Sequence, residues 1–271
     1  MDYLYSWFSE PLTTIARGWT GVPPWVMIGL ALLMFAGWTA TYVEVIRKSF
    51  RDHAYGIPFP NTCLNFSWEL IFSFDLMGGL PSFFFPLRYG HLFWLIPNSF
   101  NVYQTWKYGP SVQNGEWVKT HFRKLFLLTF VLSFTLIYTY HQYAHDVFGV
   151  ASSWMINVFM SWLFIRMLLQ RRNDVMADGT IRGMSERAAW FKLIGNGAGV
   201  VFCFYWWPAQ FDHGLLRHAG WVIPEPQSYT FLYVVYISNL LLDAALIRLI
   251  RVREREIREG RPATKMELSA I

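Results

Sequence analysis

Long apolar runs separated by short polar connections cover most of this chain. A membrane helix needs about 20 mostly apolar residues, and seven runs meet or approach this length: 25–46, 62–83, 91–106, 125–142, 148–169, 190–207 and 229–250. The third run is the shortest and contains Pro97 and Asn98, which favour a kink. The pattern predicts an all-α membrane protein, in which residues 1–271 form one bundle of seven transmembrane helices.

The two ends of the chain are predicted to lie outside the bilayer core. Residues 1–20 have no basic run and no continuous apolar core, so we expect an interfacial lead-in rather than a cleavable signal peptide. Its expected interfacial anchors are aromatic: Tyr3, Trp7, Phe8 and Trp19. Residues 251–271 mix both charge signs. We expect them to continue the last helix as a solvated cytoplasmic tail that touches anionic headgroups, in preference to a partner-binding motif.

Composition and charge support a membrane protein of defined orientation. Only 15% of the residues are charged, against about 25% in soluble domains. Of 23 Lys and Arg, 20 fall on one side of the predicted bundle, including Lys192 near the fifth-to-sixth connection, and three fall on the other. Lys and Arg collect on the cytoplasmic side, which predicts an outer or lumenal N-terminus and a cytoplasmic C-terminus. Topology thus explains the formal charge of +5, and no nucleic-acid partner is expected.

Four carboxyl side chains lie within the apolar runs, where ionisable groups are costly and are by default functional candidates. Glu44 is close enough to a helix end to reach water. Asp75 is placed near the middle of the second run, where lining a cavity and bonding a neighbouring helix are equally open. Glu69 and Asp243 each lie seven residues from a predicted cytoplasmic helix end, at a matched depth of about 10 Å.

The surroundings of Glu69 and Asp243 suggest acid chemistry. Asn65 and Asn239 precede them by four residues and so share their helix faces. Apolar surroundings favour the protonated carboxyl, which is a general acid. Simple hydrogen bonding between helices remains an equal alternative. Aromatic side chains, whose faces attract cations, are abundant on the same predicted helices. The candidate substrate-binding residues are Asn65, Trp68, Phe72, Asn239, Tyr236 and Trp162. Further aromatic candidates for the pocket are Tyr233, Trp206 and Trp207.

Residues 37–74 contain Trp38, Tyr42, a Tyr55-Gly56 turn and the cluster Cys63-x-Asn65-x-x-Trp68-Glu69. With these residues the stretch resembles the small membrane-bound terpene cyclases of fungal meroterpenoid and indole-diterpene pathways, which have bacterial relatives. Weaker similarities are Val102-Tyr103, Lys107-Tyr108-Gly109-Pro110 and Trp207-Pro208. The resemblance implies two acidic catalytic residues. The second-helix acid falls on Glu69 by motif, and the last-helix acid falls on Asp243 by position.

The same resemblance implies a reaction and a cellular setting. An acid would protonate the terminal epoxide or alkene of a polyprenyl chain attached to a polar headgroup, rings would close, and a base would remove a proton. The substrate would be lipophilic, with functional links to a prenyltransferase and an epoxidase. The protein would lie in the endoplasmic reticulum if fungal, or in the inner or plasma membrane if bacterial.

No cofactor or metal ion is expected from the sequence. It has no DDxxD-like cluster and no D-x-D-D motif. His141 and His145 stand four residues apart, but with Asp146 and His213 they group only loosely and form no set of histidine boxes. Cys63 and Cys203 lie in apolar runs and are expected to be buried thiols rather than a disulfide or zinc site. The competing functions are a seven-helix proton-coupled transporter or binding protein, which duplicated halves would favour, and a membrane scaffold.

Overall fold

The computed structural model describes residues 23–77, 85–144, 146, 149–212 and 229–261, with the backbone alone at 24, 85–88, 144, 204–212 and 229–232. The predicted lead-in at residues 1–20 lies outside the described part. Within the described part the chain forms seven α-helices and a 3₁₀ turn at Pro110–Val112. The helices are α1 Pro24–Asp52, α2 Phe59–Phe74, α3 Phe85–Tyr108, α4 Glu116–Ala144, α5 Val150–Arg171, α6 Glu186–Asp212 and α7 Tyr229–Arg258.

The second helix ends earlier than its apolar run predicts. Asp75 adopts a left-handed backbone conformation with φ 49°, and its N–H donates to the carbonyl of Ile71. Asp tolerates this conformation better than most residues, and such a residue commonly terminates a helix. The prediction that Asp75 lies near the middle of a span over 62–83 is therefore wrong. Apolarity alone could not identify this stop, because the residues after Asp75 are again apolar.

Four of the described helices are long and apolar enough to cross a membrane: Trp25–Asp52, Glu116–Tyr143, Val150–Arg171 and Tyr233–Arg258. Helix α2 has only 16 residues, whereas α3 and α6 carry many polar side chains that point into the protein. The predicted count of seven spans and the predicted orientation of the termini therefore remain predictions. Helix α3 continues through Pro97 and begins six residues before the run that predicted it.

Six helices pack as a closed ring. Each contacts the next in the order α1, α6, α7, α5, α2, α3 and back to α1, and α4 packs against α2. One face of α4 is exposed over several turns, as a lipid-facing helix requires; its apolar side chains are Leu127, Leu128, Val131, Leu132 and Leu136. The ring encloses polar side chains contributed by all six of its helices.

One end of the ring is closed by a group of buried polar contacts, the polar clamp, formed by Lys48, Asp52, Tyr55, Arg171 and Gly183. The Asp52 carboxylate accepts from Lys48 Nζ at 2.9 Å and from the Gly183 N–H at 2.8 Å. Arg171 donates to the Tyr55 carbonyl at 2.8 Å, and its guanidinium lies 4.2 Å from the centre of the Tyr55 ring. The clamp fastens the α1–α2 connection to the α5–α6 connection.

We expect Asp52→Ala to destabilise the protein by about 3–5 kcal/mol, because it leaves the buried Lys48 ammonium without its carboxylate. The measurement is the midpoint of thermal unfolding in detergent. Asp178→Ala is the matched control, since Asp178 pairs with Arg51 at 3.1 Å on the protein surface and its loss costs about 0–1 kcal/mol. Equal midpoints for the two variants would contradict the clamp.

The last helix continues beyond its apolar run, as predicted, and ends at Arg258. Its extension is not simply solvated, however. Arg253 is buried, donates to the carbonyl of Arg172 at 2.7 Å and pairs with Glu256 at 3.0 Å. The extension therefore packs on the α5–α6 connection, next to the polar clamp.

Candidate active site

The carboxyl of Glu69 lies between α2 and α3 and has a histidine partner. Its Oε2 atom is 3.1 Å from Nδ1 of His91, and both side chains are about 95% buried. The rings of Trp68 and Phe72, one before and three after Glu69, lie 4.7 Å and 5.6 Å from the His91 ring. The indole N–H of Trp68 donates to Ser152 on α5 at 3.0 Å. An acid and an imidazole thus face each other beside aromatic surfaces.

The hydroxyl of Tyr42 joins α1, α2 and α3 near this pair. It accepts from the amides of Asn98 at 3.2 Å and Asn65 at 3.5 Å. Asn65 stands one helical turn before Glu69, on the same face. The side chain predicted to orient the Glu69 carboxyl therefore makes its described hydrogen bond to Tyr42, and it supports the wall of the site around Glu69.

Asp243 belongs to a second buried group, on α5, α6 and α7. Its Oδ1 atom lies 2.6 Å from Lys192 Nζ and 2.6 Å from Ser161 Oγ, and its Oδ2 accepts from Asn196 at 2.7 Å. Asn239, one turn earlier on α7, places its Oδ1 atom 2.9 Å from Ser161 Oγ. All five side chains are almost fully buried. Glu69 and Asp243 therefore have separate partners.

Trp38 on α1 connects the two groups. Its indole N–H donates to Asn196 Oδ1 at 3.1 Å, and its ring centre lies 5.9 Å from that of Tyr42. Lys192 Nζ lies 5.7 Å from the centre of the Trp38 ring. A continuous series of contacts thus runs from Asp243 through Asn196, Trp38 and Tyr42 to Asn65. This series joins the Asp243 group to Tyr42 and Asn65, and Asn65 lies on α2, the helix that carries Glu69.

The sequence model of the Pyr4-like transmembrane terpene cyclases matches residues 22–213. This is well over half of the 271 residues. The chain belongs to this family. The family resemblance carried by residues 37–74 is confirmed, and the matched region contains Glu69, His91 and Lys192. Asp243 lies beyond it.

Individual relatives support the same assignment. Terpene cyclase pyr4 of Aspergillus fumigatus is 25% identical over 248 residues, which are 89% of this chain and 91% of that protein. Pyr4-family terpene cyclase mfmH of Annulohypoxylon moriforme is 28% identical over 194 residues, covering 67% and 72%. Terpene cyclase dpmpB of Macrophomina phaseolina is 34% identical over 95 residues, covering 34% and 35%. No solved structure matches the chain. These relatives are fungal, and the predicted bacterial relatives stay a prediction.

The structure distributes the predicted aromatic side chains unevenly. Trp68 and Phe72 lie beside the Glu69–His91 pair. Tyr236 is buried on α7 against the ring of Trp154, 4.9 Å away, and Tyr233 lies 6.4 Å from it. Trp162 is 49% exposed and stacks on Phe159, and its place in a substrate pocket stays a prediction. The side chains of Trp206 and Trp207 lie outside the described part.

Sequence reasoning missed the partners of both acids. His91, Ser161 and Asn196 sit inside apolar runs, and the signal that could have found them was their polarity at membrane depth. Lys192 was counted with the cytoplasmic charges, and that side stays a prediction; the structure adds that Lys192 lies in the second turn of α6 and is only 1% exposed. Glu44, by contrast, lies near the end of α1 and bonds Arg47 and Ser185, at 2.8 Å and 3.0 Å.

Possible metal ligands do not converge in the described part of the chain. No group of three or more His, Cys, Asp or Glu there could hold an ion, and His145 and His213 lie outside that part. Asp146 instead caps α5 by accepting from the N–H groups of Ala151 at 3.2 Å and Ser152 at 2.8 Å. Burial raises the pKa of Asp146, and these hydrogen bonds oppose the rise.

Proposed function

We propose that this protein cyclises a polyprenyl or epoxypolyprenyl chain carried on an aromatic or other polar headgroup, by proton-initiated isomerisation inside the membrane. The observation that carries the proposal is the buried Glu69–His91 pair beside Trp68 and Phe72, in a chain of the transmembrane terpene cyclase family. The substrate is lipophilic. A prenyltransferase, which attaches the prenyl chain, and an epoxidase, which oxidises its terminal alkene, would supply it.

Glu69 is the proposed principal acid. A neutral His91 that donates from Nδ1 to Oε2 leaves the acidic proton on the other carboxyl oxygen, and it stabilises the carboxylate that forms after transfer. The proton moves to the epoxide oxygen, whose C–O bond breaks, or to the terminal alkene carbon. Successive alkene electron pairs then form the new C–C bonds, and a base finally removes one C–H proton. The product is an isomer of the substrate.

The aromatic side chains suit a cationic intermediate. The rings of Trp68 and Phe72 contact each other and His91, the partner of the proposed acid, and Tyr236 with Trp154 offers further ring surface between α5 and α7. Ring faces attract cations, most strongly where water is excluded. Exclusion of water also prevents capture of the cation as an alcohol. In this proposal Asp243 is the second acid or base. Asn239 supports it through Ser161, and Asn65 binds the hydroxyl of Tyr42 one turn before Glu69.

The test is turnover by membranes that contain this chain, offered a panel of prenylated and epoxyprenylated aromatic compounds with and without a metal chelator. We expect products of unchanged mass and altered retention, with rings assigned by NMR, and equal rates with the chelator. Membranes without the chain provide the background rate. Absence of isomers across the panel, together with proton-coupled uptake of the same compounds into vesicles, would favour the transporter alternative.

A further inference from the structure

We infer that Lys192 holds Asp243 as a carboxylate, so that Asp243 does not supply the initiating proton and Glu69 does. The catalytic part of this inference rests on the proposed function. The part that concerns the charge of Asp243 does not depend on it. It makes Lys192 a positioning residue that fixes which of the two acids starts the reaction. A carboxylate so held remains able to stabilise a cation or to accept the final proton.

The contacts of Asp243 leave little place for a proton on either oxygen. Asn196 reaches Oδ2 through its amide nitrogen at 2.7 Å, and an amide N–H only donates. Lys192 reaches Oδ1 through Nζ at 2.6 Å, and an ammonium also only donates. A proton on either oxygen would therefore point at a donor, unless it were directed to Ser161.

Ser161 is already committed to other groups. Its hydroxyl oxygen lies 2.6 Å from Lys192 Nζ, which donates to it, and it also lies 2.9 Å from the Asn157 carbonyl oxygen and 2.9 Å from Asn239 Oδ1. With one proton of its own, the hydroxyl donates to one of these acceptors or to Asp243, and it keeps one lone pair besides the one that Lys192 uses. An ionised Asp243 beside a charged Lys192 satisfies the Asn196 amide, the Lys192 ammonium and the Ser161 hydroxyl together.

Charge balance gives the same answer. Lys192 and Asp243 are 1% exposed each, and a buried charge without a partner is far more costly than a close ion pair with further hydrogen bonds. Glu69 has a different environment, because its described partner is the imidazole of His91, with Nδ1 3.1 Å from Oε2, and no ammonium group is described against it. Only Glu69, of the two candidates, can carry an acidic proton without an ammonium group against it.

The position of Lys192 couples this ion pair to the rest of the site. Its Nζ atom lies 5.7 Å from the Trp38 ring centre, and Trp38 donates to the same Asn196 that binds Asp243. Loss of the ammonium would therefore change both the protonation of Asp243 and the support of Trp38. Lys192 is therefore proposed to act through the groups that it positions, Asp243 and Trp38.

Infrared difference spectroscopy on the purified protein in lipid nanodiscs tests the inference without any substrate. We expect Asp243→Asn to remove no protonated-carboxyl band from the wild-type protein. We expect Lys192→Gln to gain such a band, and the double variant Lys192→Gln with Asp243→Asn to lose it again. Lys192→Arg, which keeps the charge, should gain none. A protonated-carboxyl band that Asp243→Asn removes from the wild type would overturn the inference, even if the Lys192 variants failed to fold.

Turnover of a substrate found in the panel separates the inference from the proposed function. We expect Lys192→Gln to lower kcat on the order of 100-fold, as loss of one preorganised charged donor does, and Lys192→Arg to recover at least a tenth of the wild-type rate. Wild-type turnover with an unaffected Lys192→Gln variant would refute the positioning role. Failure of the wild type on every substrate would count against the proposed function alone, because the infrared result would still decide the charge of Asp243.

Discussion

Glu69→Gln lowers kcat by about 1,000- to 10,000-fold in the outcome we expect, with a much smaller change in KM. General acid catalysis contributes roughly 100- to 10,000-fold, and no other described carboxyl contacts His91. Gln keeps the shape of the side chain and its hydrogen bond to His91 but supplies no acidic proton. The measurement is single-turnover cyclisation in membranes with matched amounts of folded protein, so that product release does not mask the chemical step.

The matched control for this result is Glu44→Gln. Glu44 is also a carboxyl in an apolar run, but it bonds Arg47 and Ser185 near the end of α1. We expect its rate to stay within a few-fold of wild type. Undiminished isomer formation by Glu69→Gln would remove Glu69 as the acid while leaving the family assignment intact. Equal losses in both variants would indicate a general effect on the bundle.

Gly195→Leu is expected to destabilise the bundle by about 3 kcal/mol, the upper end of the usual cost of overpacking. Helices α1 and α6 approach so closely that a Cβ atom on Gly37 would lie 2.6 Å from the Gly195 Cα. A Cβ atom on Gly195 would lie 3.1 Å from the backbone nitrogen of Trp38. Small residues permit such backbone contact between membrane helices. A leucine side chain has no space there without separating the two helices.

Gly197→Leu tests whether the effect comes from this contact. A Cβ atom on Gly197 would meet nothing within 4 Å, and Leu has a higher helix propensity than Gly. We therefore expect Gly197→Leu to unfold at or above the wild-type temperature, and Gly195→Leu to unfold well below it. Thermal unfolding in detergent, followed by loss of monodisperse protein, gives the comparison. Coincident curves for the two variants would show that the α1–α6 contact is not limiting.

The helices and the proposed acid Glu69 were accessible from sequence because both follow from local physical rules. Apolar runs of sufficient length form helices in a membrane, and a carboxyl such as Glu69 at that depth is costly and therefore a functional candidate. The family resemblance then selected the same residue by its motif. Helix ends were less accessible: the stop at Asp75 depends on one left-handed residue among apolar neighbours.

The partners of the acids depended on tertiary structure. His91 is 22 residues from Glu69, and Lys192 is 51 residues from Asp243. Only the packing of α3 on α2 and of α6 on α7 makes these pairs. Charge counting treated Lys192 like the other basic residues of its side, because a sequence does not distinguish a lysine that faces water from one that faces a buried aspartate. Burial shows the same limit, since Ser161 is fully buried whereas its neighbour Trp162 is 49% exposed.

The polar clamp has a consequence for how molecules reach and leave this site. Opening that end of the ring would separate Lys48 from Asp52 and Arg171 from the Tyr55 carbonyl, and breaking such buried contacts costs several kcal/mol each. Passage of a lipophilic substrate through that end is therefore unfavourable. We expect the substrate to enter laterally from the surrounding lipid and the cyclised product to return to the lipid. The reaction rate should then follow the substrate concentration in the membrane rather than in water.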